Sequence, residues 1–346
     1  MKKILVVFAL LLWLAVPASA YQITAPEPSG DAEHYMQNAP ESFGEGLAYI
    51  LRYGMQALAP ELYRSLGTCV SLLATALILS ILKGYDGRSR ALVDLAGVIG
   101  ISCTLLGPTN TMIDMAANTV KELSEYGKTL LPVITAALAS QGGGTTASGI
   151  YIATAFFNAL LCSGVEEFLV PALYIYLAIA TVNAAVSDPI MEKLKDLIKW
   201  LTSWGLKLVL YAFTGYVTIT GVVNGTADQT AIKAAKITIG GMIPVVGGIM
   251  SDASETILVS AAVVKNAVGV YGLLALIAIA IVPLAKLGVH YLLLKITAAV
   301  CGIFSEKPIT KLIDDFSAVM GLLLAMAGTV CLLLLISTVS FLKGMG

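Results

Sequence analysis

The chain has 346 residues, of which 58% are hydrophobic and only 12% are charged, and its formal net charge is −1. Soluble domains carry roughly a quarter charged residues, so this composition excludes an ordinary soluble domain and indicates an integral membrane protein. The near-neutral charge also excludes the basic field that nucleic-acid binding requires. The expected partner is therefore the lipid bilayer, and nucleic acid is not expected.

The first twenty residues have the layout of a secretory signal peptide. Lys2 and Lys3 precede a short apolar run that ends in "PASA" at residues 17–20. A positive start, an apolar run too short to cross a bilayer and an Ala-x-Ala site are the three parts of such a signal. We therefore expect residues 1–20 to be cleaved, with an uncleaved first helix as the alternative.

Residues 21–63 form an acidic segment that is predicted to lie outside the cytoplasm. Within it, the run from Phe43 to Leu58 places its apolar side chains on one helical face, and Ser42 with Glu45 fits a capping box. This pattern predicts a short amphipathic helix. The helix either rests at the membrane interface or contacts a partner.

Residues 64–341 are predicted to form the membrane domain. Lys83, Arg88 and Arg90 directly follow a clear span at 66–82, so this connection should be cytoplasmic under the positive-inside rule. Further spans are predicted at 91–111, 166–187, 205–224, 270–293 and 318–341. Between them lie a polar piece at 112–128, interrupted stretches at 129–164 and 229–268, and lysine-bearing surface helices at 188–204 and 305–316.

The membrane domain shows signs of an internal duplication. "LLPVITAALAS" (130–140) matches "MIPVVGGIMSD" (242–252), and "DPIMEKLKDLI" (188–198) matches "KPITKLIDDF" (307–316). Spans also match in the same order, which predicts two parallel repeats. The predicted repeats are A, about residues 91–204, and B, about residues 205–341.

The fold class expected from these patterns is an all-α polytopic membrane protein with two parallel-repeat halves that contain Pro/Gly-broken helices. The broken helices either cross the bilayer fully or re-enter it. Unwound backbone survives in lipid only inside protein or beside water, so matching breaks point to a pathway, with close packing as the alternative. The break and pathway candidates are Pro132, Gly142, Gly143, Gly144, Pro244, Gly247, Gly248, Asp252 and Glu255.

A second set of candidates consists of ionisable residues inside predicted spans. Lys286 and His290 lie one turn apart on one face of the span at 270–293. Charged groups at this depth usually pair with one another and mark functional sites. The expected partners are Glu166, Glu167 or Asp94. The other interpretation, which the nearby Lys295 favours, is that the whole group snorkels toward the cytoplasmic interface.

Enzymatic and metal-binding functions are not expected. The sequence has no G-x-x-x-x-G-K-[ST], H-E-x-x-H or G-x-S-x-G motif. Its two histidines, His34 and His290, are far apart and lack a cysteine or carboxylate at ligand spacing, so no metal or other cofactor is predicted. The Asp314–Asp315 pair is interpreted as solvating its surface helix.

These features together resemble the stage III sporulation protein AE family. The resemblance rests on the signal, the acidic outer segment and the interrupted spans, above all "GGMIPVVGGIMSDASETIL" at residues 240–258, and it extends over essentially the whole mature chain. It implies a multi-pass protein of the mother-cell membrane around the forespore, within the complex encoded by the stage III sporulation A operon. The implied partners are an ATPase, ring-forming subunits and forespore protein Q.

The same resemblance implies a function. Members are thought to contribute to a channel that links mother cell and forespore and that late forespore gene expression requires, so this chain is expected to be a subunit of the channel complex and a candidate for its conducting component. An autonomous secondary transporter and a non-conducting assembly scaffold are the alternatives. The resemblance brings no catalytic residues, and a homo-oligomer remains an open arrangement.

Overall fold

The computed structural model describes residues 26–28, 31–36, 42–85, 90–140, 144–219, 267–305 and 307–344. These residues form α-helices and one π-helical turn, and no strand occurs among them. The helices are α1 (Asp31–Met36), α2 (Phe43–Tyr85), α3 (Arg90–Ser140), α4 (Gly144–Gly164), α5 (Val170–Val186), α6 (Pro189–Ile219), α7 (Ala267–Phe304) and α8 (Lys307–Gly344), with the π-helical turn at Val165–Leu169.

Helix α8 lies at the centre of the bundle. Its residues from Val319 to Phe341 are almost all buried. A helix that is apolar on every side must be covered on every side, and α3, α4, α5, α6 and α7 all pack against α8. The remaining described helices are arranged around this central rod.

Contacts between helix termini define two ends of the bundle. The Ser80 hydroxyl, near the end of α2, donates a 2.9 Å hydrogen bond to the Phe304 carbonyl at the end of α7. Gly97, near the start of α3, packs against Ile309 near the start of α8. We call this end, where α2, α5 and α7 finish and α3, α6 and α8 begin, the loop end, and we call the opposite end the distal end.

Several helices are longer than the sequence pattern predicts. Helix α2 joins the predicted amphipathic helix to the first span, with Pro60 inside it. Helix α6 joins a predicted surface helix to the next span, and α8 joins the charged piece at 305–316 to the last span. Packing along the full length of these helices stabilises them, which local sequence alone does not indicate.

Pro132 does not break its helix, contrary to the prediction. Helix α3 continues through it to Ser140, and Gly144 is the first residue of α4. A proline removes one backbone hydrogen bond, but surrounding helices can hold the neighbouring turns in place. Leu131 and Ile134 are buried beside Pro132, so packing fixes the helix on both sides of it.

The other predicted breaks lie outside the described residues. They are Gly142, Gly143, Pro244, Gly247, Gly248, Asp252 and Glu255. The signal peptide at 1–20 and nearly all of the stretch at 229–268 also lie outside them. The division into two repeats therefore stays a prediction.

Five helical segments of the described chain are long and apolar enough to cross a membrane. They are Phe43–Leu82, Leu92–Ala136, Ser148–Val186, Gly269–Phe304 and Lys307–Phe341. The all-α class is thus confirmed for the described residues, and the five segments indicate a multi-pass membrane protein.

The close contact between α7 and α8 generates a stability prediction. A Cβ on Gly321 would lie 3.2 Å from the Tyr291 ring, so we expect Gly321→Leu to destabilise the fold by about 1–3 kcal/mol through overpacking. Gly107→Leu is the control, because Gly107 is exposed and a Cβ there meets no neighbour within 4 Å. Thermal unfolding of the purified proteins in detergent measures both, and equal melting temperatures would contradict this packing.

Candidate functional site

Three side chains from three helices meet in a buried site near the loop end. Asp315 of α8 accepts a 2.5 Å hydrogen bond from Lys195 Nζ of α6 and a 3.0 Å hydrogen bond from the Tyr176 hydroxyl of α5. The Lys195 side chain is only 2% exposed. Buried charges need both an opposite charge and further hydrogen bonds to be tolerated, and Asp315 has both. The site therefore ties α5, α6 and α8 together.

The two helices that supply this ion pair begin in the same way. Pro189 is the first residue of α6 and Pro308 the second of α8, positions where proline's fixed φ suits a helix start. The third residue after each proline is Glu192 in α6 and Lys311 in α8, and these two form a half-exposed ion pair at 2.5 Å. The hydrogen bond from Lys311 lowers the pKa of the Glu192 carboxyl. The two segments that match in sequence thus contact each other through opposite charges.

A cavity and a groove adjoin the first turns of α8. The α8 cavity, of about 150 Å³, is lined by Ala180, Asn183, Ala184, Ser187, Glu192, Lys307, Pro308, Lys311, Leu312 and Asp315. The α8 groove, of about 560 Å³, is lined by Lys295, Ala298, Ala299, Gly302, Ser305, Lys307, Thr310, Lys311 and Asp314. Lys307 and Lys311 belong to both. Lys295 and Asp314 form an exposed ion pair within the groove.

We call these seven residues the α8 charge cluster: Tyr176, Glu192, Lys195, Lys295, Lys311, Asp314 and Asp315. The cluster reaches some way into the bundle. At 1.5 Å of rise per residue, Asp315 lies about 12 Å along α8 from Lys307, and Lys295 about 13 Å along α7 from Phe304. Since the hydrocarbon layer of a bilayer is about 30 Å thick, Asp315 and Lys295 at this depth in helices apolar enough to cross a membrane are candidates for a functional site.

The interpretation that Asp314 and Asp315 both solvate a surface helix is wrong for Asp315. Successive helical residues point about 100° apart, so Asp314 faces the groove while Asp315 is buried against α6. Lys195, expected on a surface helix, is buried as well. The position of Lys195 on α6 could have indicated its burial. Thr202 and Leu206, two and three turns further along the helix, lie on the same face and are also buried.

A second buried polar site joins α2 and α7. His290 Nε2 lies 3.1 Å from the Glu61 carboxylate and 3.1 Å from the Ser65 hydroxyl oxygen. Ser65 donates its only hydroxyl proton to the Glu61 carbonyl at 2.8 Å, so both neighbours of Nε2 act as acceptors. We infer that Nε2 carries a proton and donates to them.

The partners of His290 differ from those expected. Glu166 and Glu167 lie in the π-helical turn and are exposed, and Asp94 lies half-buried near the start of α3. Lys286 is half-buried one turn before His290. Glu61 was overlooked because it falls within the segment assigned to the outside, which the structure shows to be continuous with the first span.

The buried ion pair generates a second stability prediction. Lys195→Met leaves Asp315 buried without its cation, which should destabilise the fold by about 3–5 kcal/mol. The double variant Lys195→Met with Asp315→Leu should recover most of that loss, because neither charge is then buried alone. Chemical unfolding of the four proteins in a double-mutant cycle measures the coupling.

The surface pair of the same helices is the matched control. Lys311→Met and Glu192→Leu should show much weaker coupling, because both side chains are more than 40% exposed and water screens their attraction. Additive costs for Lys195 and Asp315, with coupling no larger than in this control pair, would show that the buried contact does not hold α6 to α8.

Comparison with known proteins identifies the family. The family model described as "Stage III sporulation protein AE" matches residues 31–343. The chain is also similar to the "Stage III sporulation protein AE" of Bacillus subtilis (strain 168), with 23% identity over 254 residues. That alignment covers 73% of this chain and 64% of the relative's length. No solved structure matches the chain. Because the family model spans nearly all of the described helices, the chain belongs to the stage III sporulation protein AE family.

Proposed function

We propose that this chain is a membrane-embedded subunit of the channel complex that links mother cell and forespore during sporulation, and that the α8 groove forms part of its path. Late forespore gene expression would depend on this subunit. Family membership supports the sporulation role. The observation that supports the path is the α8 charge cluster, which places three ion pairs on and beside α7 and α8, two helices that are apolar enough to cross a membrane.

The groove has the chemical character that a path for polar solutes needs. Lys295, Lys311 and Asp314 line it together with the small residues Gly302 and Ser305. Polar groups at membrane depth are tolerated where they are paired or face water. All three charges form ion pairs at half-exposed positions, Lys295 with Asp314 and Lys311 with Glu192, so a hydrated groove accounts for them without burying a free charge.

The direction of the path follows from the charge distribution. Lys83 lies in the last turn of α2 and Arg90 begins α3 at the loop end, where α6 and α8 also begin with lysine-bearing turns. The positive-inside rule favours the cytoplasm for this end, so the α8 groove opens toward the mother-cell cytoplasm. Energy for transport is expected from a separate ATPase of the complex, because the chain has no nucleotide-binding loop of its own.

Filling the groove tests this proposal. A Cβ on Gly302 would lie 3.5 Å from Thr310 across the groove, so Gly302→Trp should obstruct it. The neighbouring Ile303 is 83% exposed, and Ile303→Trp is the matched control. In sporulating cells that carry only the variant chain, we expect Gly302→Trp to abolish late forespore reporter expression and heat-resistant spores. Ile303→Trp should leave both intact.

Protein amount and co-purification with the complex distinguish the alternatives. Normal amounts and normal assembly of Gly302→Trp, together with failed sporulation, are the expected result. Normal sporulation with Gly302→Trp would contradict a path through the groove. Lost assembly would favour a scaffold, and saturable ion-coupled uptake by the purified chain alone in vesicles would favour a secondary transporter.

A further inference from the structure

Four of the described helices are about twice as long as the hydrocarbon layer of a bilayer is thick. Helix α2 has 43 residues, α3 has 51, and α7 and α8 have 38 each. These lengths correspond to about 57–77 Å, whereas the hydrocarbon layer needs only about 20 helical residues. Length and composition alone do not say which half of the bundle lies in lipid, but the exposed side chains do.

Exposed apolar side chains cover the loop-end half on four elements. On α2 they include Val70, Leu77, Ile78, Ile81 and Leu82, and on α3 Leu92, Leu95, Ile99 and Leu106. From the π-helical turn through α5 they include Phe168, Ile175, Val182 and Val186, and on α7 Leu292, Ile296, Val300 and Ile303. A contiguous apolar surface of this size on several sides of a protein requires a covering of the same kind.

We call this exposed apolar surface the apolar belt. On each of the four elements it ends at a charged residue, and these residues lie at similar distances from the loop end. Exposed Arg64 on α2 lies about 32 Å from the loop end of its helix, and exposed Asp114 on α3 about 36 Å. Exposed Glu167 lies about 29 Å from the end of α5, and half-buried Lys286 about 27 Å from the end of α7. The belt is therefore about 30 Å thick, which is the thickness of a bilayer's hydrocarbon layer.

Beyond that border the surface of α3 becomes hydrophilic. Asp114, Lys121, Glu122, Glu125 and Lys128 are all exposed there. Five charged residues on one helical surface are incompatible with hydrocarbon. Helix α3 continues to Ser140, about 39 Å beyond Asp114, so this part of the bundle must stand in water.

Helix α4 packs beside the charged part of α3 and therefore shares its surroundings. Asn158 of α4 donates a 3.1 Å hydrogen bond to the Ser124 hydroxyl of α3, between the charged residues Lys121 and Glu125. Ile152 and Phe156 are exposed on α4 although the helix carries no charge. Because they lie at the height of the charged surface of α3, they lie above the bilayer and not within it.

Helix α6 is the exception in the belt. Its outward stripe is apolar, with Leu197, Leu201 and Trp204 exposed, but Asp196 and Lys207 are exposed at the same heights. The α8 groove, with Lys295 and Asp314, is the other polar interruption. The belt is thus continuous on α2, α3 and α5 and interrupted only next to α6 and α8 among the described helices.

From these heights we infer that the bilayer surrounds only the loop-end half of the bundle. The distal half, with the beginning of α2, the end of α3 and all of α4, projects about 35 Å beyond the lipid on the non-cytoplasmic side. The apolar belt is a lipid-binding surface, and the projecting half is a water-exposed helical domain. This inference does not depend on the proposed channel role.

Cysteine accessibility tests the inference on a single helix. Native Cys103 is exposed within the belt on α3, whereas Glu125 is exposed on the same helix beyond the border. One variant keeps Cys103 as its only cysteine, and a second is cysteine-free except for Glu125→Cys. Both are treated with a membrane-impermeant maleimide in intact protoplasts, and sporulation checks that they fold.

We expect Glu125→Cys to react fully with the impermeant reagent from outside. Cys103 should stay at the background of cysteine-free protein until detergent or a membrane-permeant maleimide is added. On α2, Val70→Cys and Arg52→Cys should repeat this contrast between protection and labelling. Protection of Glu125→Cys that detergent relieves would overturn the projection, and labelling of Glu125→Cys only in inside-out vesicles would overturn its direction.

Discussion

The contact on which the loop-end half of the bundle depends is the buried ion pair between Lys195 and Asp315. It joins α6 to the central helix α8, and the Tyr176 hydroxyl adds α5 to the same carboxylate. Two opposite charges in a low-dielectric interior are stable only together, because either one alone would keep its desolvation cost without compensation. We therefore expect this ion pair to add specificity to the apolar packing, by favouring the one register of α6 against α8 in which both charges are paired.

The same register accounts for one of the half-exposed ion pairs. With Lys195 against Asp315, Glu192 lies beside Lys311 one turn closer to the loop end, whereas Asp314 meets Lys295 through the packing of α7 against α8. The buried contact therefore acts as a structural constraint, and the half-exposed pairs beside it supply a polar surface within an apolar belt. The buried ion pair thus stabilises the subunit, and the half-exposed ion pairs are the groups that a solute could contact.

The sequence predicted the class of the fold and the ends of its helices better than their continuity. Hydropathy identified the apolar segments, but the Pro-containing segments at 188–198 and 307–316 were interpreted as charged surface pieces, whereas the structure buries Lys195 and Asp315 between them. Local pattern could not show that α2 continues through Pro60, or α3 through Pro132, because tertiary packing decides those cases. For the same reason Glu61, the partner of His290, was assigned to a different part of the molecule.

The measurement that tests the central claim most directly is cross-linking of α6 to α8 in native membranes. Glu192→Cys and Lys311→Cys in a cysteine-free chain replace two side chains whose charged atoms are 2.5 Å apart. Because the cysteines are shorter than the side chains they replace, a bifunctional thiol reagent with a spacer about as long as the lost side chains should join them. Lys193→Cys with Lys311→Cys is the control, because residue 193 points about 100° away from residue 192 and should not cross-link. Efficient bridging of 192 to 311 alone would confirm the register, and weaker bridging when Lys195→Met is added would confirm that the buried ion pair imposes it. Equal bridging of both pairs, or of neither, would contradict it.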